Sequence, residues 1–180
     1  MLQALLAQID DAVRGPLSEV ESRIGELLRE ASKSLESALD ANLLRPCEDG
    51  YTRRLVYVDP DQRYSVMAMT WKPGQRTKLH DHDGLWVVES VLRGELTVDD
   101  YDHDGVDGSL HQFRLAHTLS LKPGEFGSRM PPKEHHVVKN LSSKDTVSIH
   151  VFGGLMERCC VFEPARGGYE RRPKRLCVTP

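Results

Sequence analysis

The sequence predicts a mainly β fold, a barrel or sandwich of short strands with amphipathic helices ahead of it. Three observations carry that reading. From Tyr51 onward, short runs rich in branched and aromatic residues alternate with turn residues. Before Tyr51, leucines and isoleucines recur at helical spacing instead. At 180 residues the chain fits one domain.

The helical part comes first. Leu2, Leu5, Leu6, Ile9 and Val13 form one stripe, and Gly15-Pro16 interrupts it. A second stripe follows through Leu17, Val20, Ile24, Leu27, Leu28, Ala31, Leu35, Ala38 and Leu39, with Glu, Arg, Lys and Ser on the other face. Residues 1–46 are expected to pack on the outside of the barrel, a helix-mediated dimer contact being the alternative. The strand runs are TRRLVYV, RYSVMAMTW, LWVVESVL, ELTVDDY, HQFRL, HTLSL, HVVKN, TVSIHVF and CCVF. Between them lie Asp-Pro-Asp, Arg-Gly, His-Asp-Gly and two Lys-Pro-Gly turns, at 72–74 and 122–124. Many short strands with regular turns indicate a sandwich or barrel, assigned to residues 47–164, rather than a parallel α/β sheet. Residues 165–180 read as a basic tail, either a flexible end or a cover over the barrel mouth; Arg171, Arg172, Lys174 and Arg175 are expected to be solvated.

Composition narrows the function classes. The net charge of −3 gives no sign of a nucleic-acid or membrane-surface partner. The N-terminus lacks a basic start and a small-residue cleavage site, and no apolar run is long enough to span a bilayer, so a cytoplasmic protein is expected. Cys47, Cys159, Cys160 and Cys177 have no zinc-like spacing and fit reduced thiols.

Histidines supply the chemistry. In an extended His80-Asp81-His82 segment, residues two apart face the same way, so both imidazoles enter one space. Gly74 lies six residues before His80, and Gly94 closes the following strand. Further on, Pro131, His136 and Asn140 stand in PPKEHHVVKN. These segments resemble the two signatures of the cupin superfamily, which implies a double-stranded β-helix barrel. His135 competes with His136 for the third ligand position, and His136 is favoured by its spacing to Pro131 and Asn140. Lys133 stands where the superfamily has glycine. Val87 stands where most cupins have a ligating glutamate; Glu89 shares its strand face but lies further along, and is not assigned. An all-histidine site leaves open coordination positions, as O2-activating iron sites require, although imidazole also suits zinc, nickel and copper.

Four segments in order resemble the thiol dioxygenases within the cupins, which include cysteine dioxygenase and 3-mercaptopropionate dioxygenase. They are YTRRLV, Trp71 to His82, HHVVKN and TVSIHVF. The resemblance spans Tyr51 to Phe162 and implies an Fe(II) enzyme that oxidises a small carboxylated thiol to its sulfinic acid with O2, as a monomer or small homo-oligomer. It implies that His80, His82 and His136 bind iron, and that Ser148 and His150 are two members of an outer Ser-His-Tyr triad. Phe152 replaces the tyrosine and cannot donate a hydrogen bond. Val87 replaces the cysteine that crosslinks to that tyrosine in animal members. Arg53 matches the arginine that holds the substrate carboxylate, with Arg158 a looser match to the one used in mercaptopropionate-type members. Arg54 is expected to point outward into solvent, and Val66, Met69, Val87 and Val91 to lie near the site. Other cupin chemistry, as a different oxygenase or an isomerase, or ligand binding without catalysis, are the competing readings.

Overall fold

The computed structural model describes residues 1–179. Two helices, α1 (Leu2–Val13) and α2 (Leu17–Ala38), precede eleven strands. The strands are β1 (Thr52–Val58), β2 (Ser65–Trp71), β3 (Leu79–His80), β4 (Val87–Arg93), β5 (Leu96–Asp107), β6 (Leu110–Leu121), β7 (Phe126–Arg129), β8 (His136–Lys139), β9 (Thr146–Phe152), β10 (Arg158–Ala165) and β11 (Gly168–Arg175). Pro16 caps α2 at its N-terminus, where its missing N–H costs the helix nothing. Among the described residues no helix is long and apolar enough to cross a membrane.

One sheet has the order β1-β2-β9-β4-β7; in the other, β10-β11-β6-β5-β8-β3 closes on itself through β3 and β10. Strands β2 and β9 are buried along their whole length because both faces of the first sheet are covered. On the outer face Val66, Ala68, Val88, Val147, Ile149 and Val151 join the buried stripes of α1 and α2 in one core. On the inner face Met67, Met69, Val87, Val91 and Phe152 meet Val98, Val138 and Val161 of the second sheet. Residues two apart share a face, so a single run such as SVMAMTW serves two cores.

Four features depart from the sequence reading. Val66 faces the helices, away from the site. Arg54 does point away from the cavity, but it is buried, donating to the carbonyl of Arg45 and to Oγ1 of Thr52 at 3.1 Å. HQFRL and HTLSL are one continuous strand, β6, and its partner β5 runs through His103-Asp104-Gly105 with a register shift there; the reversal falls at Gly108-Ser109. Glycine with φ +118 at Gly105 absorbs the extra residue of such a bulge without steric penalty. Finally, residues 168–175 form β11, hydrogen-bonded to β10 along its full length, so the second sheet extends beyond residue 164.

Candidate metal centre

The three histidines meet between the two sheets. His80 on β3 and His136 on β8 are direct cross-strand partners, and His82 follows two residues after His80. Each ring brings one nitrogen to within 4.8 Å of the other two. The ring centroids are 4.5–5.2 Å apart. Among the described residues no other group of three histidine, cysteine, aspartate or glutamate side chains gathers in this way. His135 points elsewhere, into an aromatic cluster with His103, Phe113 and Phe162.

These residues fit a metal. His80 Nδ1 lies 3.0 Å from the carbonyl of Lys78 and 3.1 Å from that of His136, so it serves as the donor and leaves Nε2 as the basic nitrogen. His82 Nδ1 and His136 Nδ1 are buried with no hydrogen-bond partner, which leaves binding capacity unspent in both rings. Burial is the main cause that lowers all three pKa values, His80 to about 4 and the other two well below the ordinary histidine range. The rings are therefore neutral near pH 7, the form in which imidazole coordinates.

The cavity that holds them has a volume of about 450 Å³. Arg53, Met69 and Trp71 line it from β1 and β2, and Phe152 from β9; Met156, Cys159 and Val161 line it from the segment ending in β10. Arg53 is buried, and its guanidinium donates to the carbonyl of Met156 at 3.2 Å, with a longer contact of 3.5 Å to that of Cys177. No carboxylate pairs with it among the described residues. Burial lowers its pKa, though a guanidinium starts so high that it stays charged. Arg158 is placed differently. Cys159 faces the cavity, so the preceding residue on β10 faces out; Arg158 is 77% exposed at its side chain and pairs with Asp83 at 3.2 Å. It does not reach the cavity.

Ser148 and His150 come together, but only His150 lines the cavity. Ser148 Oγ lies 2.8 Å from His150 Nε2 and accepts from Trp71 Nε1 at 3.0 Å. Fully buried behind that indole, Ser148 cannot attack a substrate. His150 Nδ1 lies 3.0 Å from Glu89 Oε2, at an angle outside hydrogen-bond geometry. Glu89 Oε1 accepts from Arg129 Nη1 at 3.0 Å, and Arg129 grips Asp100 with Nε at 2.8 Å and Nη2 at 3.1 Å. Burial would raise the Glu89 pKa, but Arg129 and His150 outweigh it and hold the carboxyl below its ordinary value. Glu89 and Arg129 are the site residues that sequence reasoning left out. Their one signal is a glutamate at an inward position of the apolar run VVESVL, since a buried carboxylate demands a partner.

Val87 and Phe152 are direct cross-strand partners on β4 and β9. Both offer only carbon, so neither a thioether nor a phenol hydrogen bond forms here. Asn140 is structural: its Nδ2 donates to the carbonyls of Trp71 and Lys144, and its Oδ1 accepts from Ser142.

The fold matches solved structures of the double-stranded β-helix type. One is an uncharacterized conserved protein with a double-stranded β-helix domain from Klebsiella pneumoniae (19% identity, TM-score 0.51, covering 69% of this chain and 94% of that one). Another is the TT1209 protein of Thermus thermophilus (22% identity, TM-score 0.50, covering 63% and 92%). At these identities the likeness concerns the fold alone. A family model, cysteine dioxygenase type I, matches residues 2–165, helices and barrel together. With its three histidines assembled and nine-tenths of its length matched by that model, the chain belongs to the cysteine dioxygenase type I family.

Proposed function

We propose that the protein is an iron(II) thiol dioxygenase that oxidises a small carboxylated thiol to its sulfinic acid with O2. The observation that carries this reading is Arg53, a buried cation with no acidic partner among the described residues, in the same cavity as the three histidines. A guanidinium so placed matches a carboxylate, which it can hold by two parallel hydrogen bonds. His80, His82 and His136 would hold iron(II), which when bound would supply the redox chemistry for adding both atoms of O2 to sulfur.

The chain's own residues do the rest. Arg53 holds the carboxylate and so orients the thiol. Met69, Trp71, Phe152 and Val161 exclude water, which strengthens the pairing with Arg53. Fixing the thiol by its far end supplies proximity without a new contact at sulfur. With Phe152 in its wall in place of a phenol, the cavity suits a bulkier or less polar thiol than cysteine.

Oxygen uptake by the iron-loaded protein over a panel of thiols tests the reading. Uptake with carboxylated thiols, matched by sulfinate and weak with cysteamine, supports it. Uptake indifferent to every thiol would point to another oxygenase chemistry.

A further inference from the structure

Trp71, Ser148, His150, Glu89 and Arg129 form a continuous polar chain along one wall of the cavity. Its placement follows from register. Glu89 on β4 is the direct cross-strand partner of His150 on β9, and its partner on the other side is Gly127 of β7. A Cβ at Gly127 would lie 2.7 Å from Arg129 Nη1 and 3.6 Å from Glu89 Oε1, so the glycine makes the room through which Arg129 reaches Glu89. Phe152, the next inward residue on β9, offers no polar atom. The partner of His150 Nδ1 therefore comes from the neighbouring strand.

We propose that Glu89 is a positioning residue that fixes His150 as its Nδ1–H tautomer, giving the hydrogen bonds of this wall one direction. Trp71 can only donate, so Ser148 Oγ accepts from it and is free to donate its own proton to His150 Nε2. Glu89 can only accept, because Arg129 keeps it ionised. The opposite tautomer would set a nitrogen lone pair 3.0 Å from an anionic oxygen. Even without ideal alignment, that repulsion selects the N–H. His150 then presents the cavity with one fixed orientation and polarity instead of two.

The test reads the tautomer directly. Long-range proton–nitrogen NMR of the full-length zinc-loaded protein, with His150→Gln to assign the signal, should show His150 protonated at Nδ1 and bare at Nε2. Glu89→Gln should invert this. Arg129 requires an acceptor, so it takes the Gln carbonyl and leaves the amide NH2 facing Nδ1, which must then accept. In the iron-loaded variant kcat should fall about 10–100-fold, as for other partners just outside a metal's ligands, while KM and iron content hold. A wild-type His150 carrying its proton on Nε2 overturns the proposal, and needs no variant to be folded. So does Glu89→Gln with an unchanged tautomer, an inverted tautomer with unchanged kcat, or a loss confined to iron binding. The kinetic arm rests on the thiol dioxygenase reading and the NMR arm does not. Absence of thiol turnover in the wild type would defeat that reading and leave the tautomer result standing.

Discussion

Arg53→Ala removes a buried guanidinium from the cavity wall. Loss of one member of a buried charge-assisted pair costs about 2–5 kcal/mol, so KM for a carboxylated thiol should rise roughly 30-fold or more. Iron content should not change, because Arg53 touches carbonyls and not the histidines. Arg158→Ala should leave both quantities at wild-type values, since its partner Asp83 is an exposed surface acid. Steady-state kinetics on the two variants check this, and a defect in Arg158→Ala alone would reverse the assignment. Metal analysis separates the histidines: His80→Ala, His82→Ala or His136→Ala should lose the metal, and His135→Ala should keep it. Residues with a fixed spacing were readable in the chain, as with His80, His82 and His136. Arg129 was not. Its partners Glu89 and Asp100 lie 40 and 29 residues away, and only the folded register joins them.

At the scale of elements, α2 packs on the first sheet with Gly25 against Phe126 of β7. A Cβ at Gly25 would fall 2.3 Å from that ring. Gly25→Ala should gain helix propensity yet destabilise the protein by about 1–3 kcal/mol through overpacking, seen as a lower denaturant midpoint with an unchanged slope. Gly94 is constrained twice, by φ +83 and by Thr146 Oγ1 2.3 Å from a built Cβ, so Gly94→Ala should cost at least as much. A stability equal to wild type in either variant would contradict the packing described. The strand sequence announced most of this architecture, because hydrophobic alternation and Pro-Gly turns are local signals. The misread stretches have local signals that tertiary pairing overrides. The bulge at His103-Gly105 looks like a turn, and β11 looks like a tail because its side chains are mostly exposed while its backbone pairs with β10 along its length.

Across the whole molecule, the C-terminal residues complete the cavity. Thr179 N donates to the carbonyl of Arg53 at 2.7 Å, Arg53 N donates to Thr179 Oγ1 at 2.9 Å, and Leu176 lines the cavity beneath. Ending the chain at Arg175 should therefore raise KM for the carboxylated thiol while the histidines still hold iron; an unchanged KM would mean the segment does not hold Arg53. The imidazoles of the site also couple stability to pH. His80 binds its proton near pH 4 when folded and near 6.5 when unfolded, so between those values the unfolded chain holds more protons. The stability of the metal-free protein should be full above about pH 6.5 and decline as pH falls toward 4, which denaturant titrations at several pH values would show; a flat profile would mean the rings are not desolvated. The three histidines, the cavity and Arg53 are proposed to serve dioxygenation of a thiol. Turning over a carboxylated thiol with the iron-loaded protein under ¹⁸O2 and weighing the product distinguishes this from other chemistry. The expected product is a sulfinic acid in which both new oxygen atoms are labelled, formed in step with the oxygen consumed. Unlabelled product, disulfide with peroxide, or no thiol-dependent consumption would contradict it.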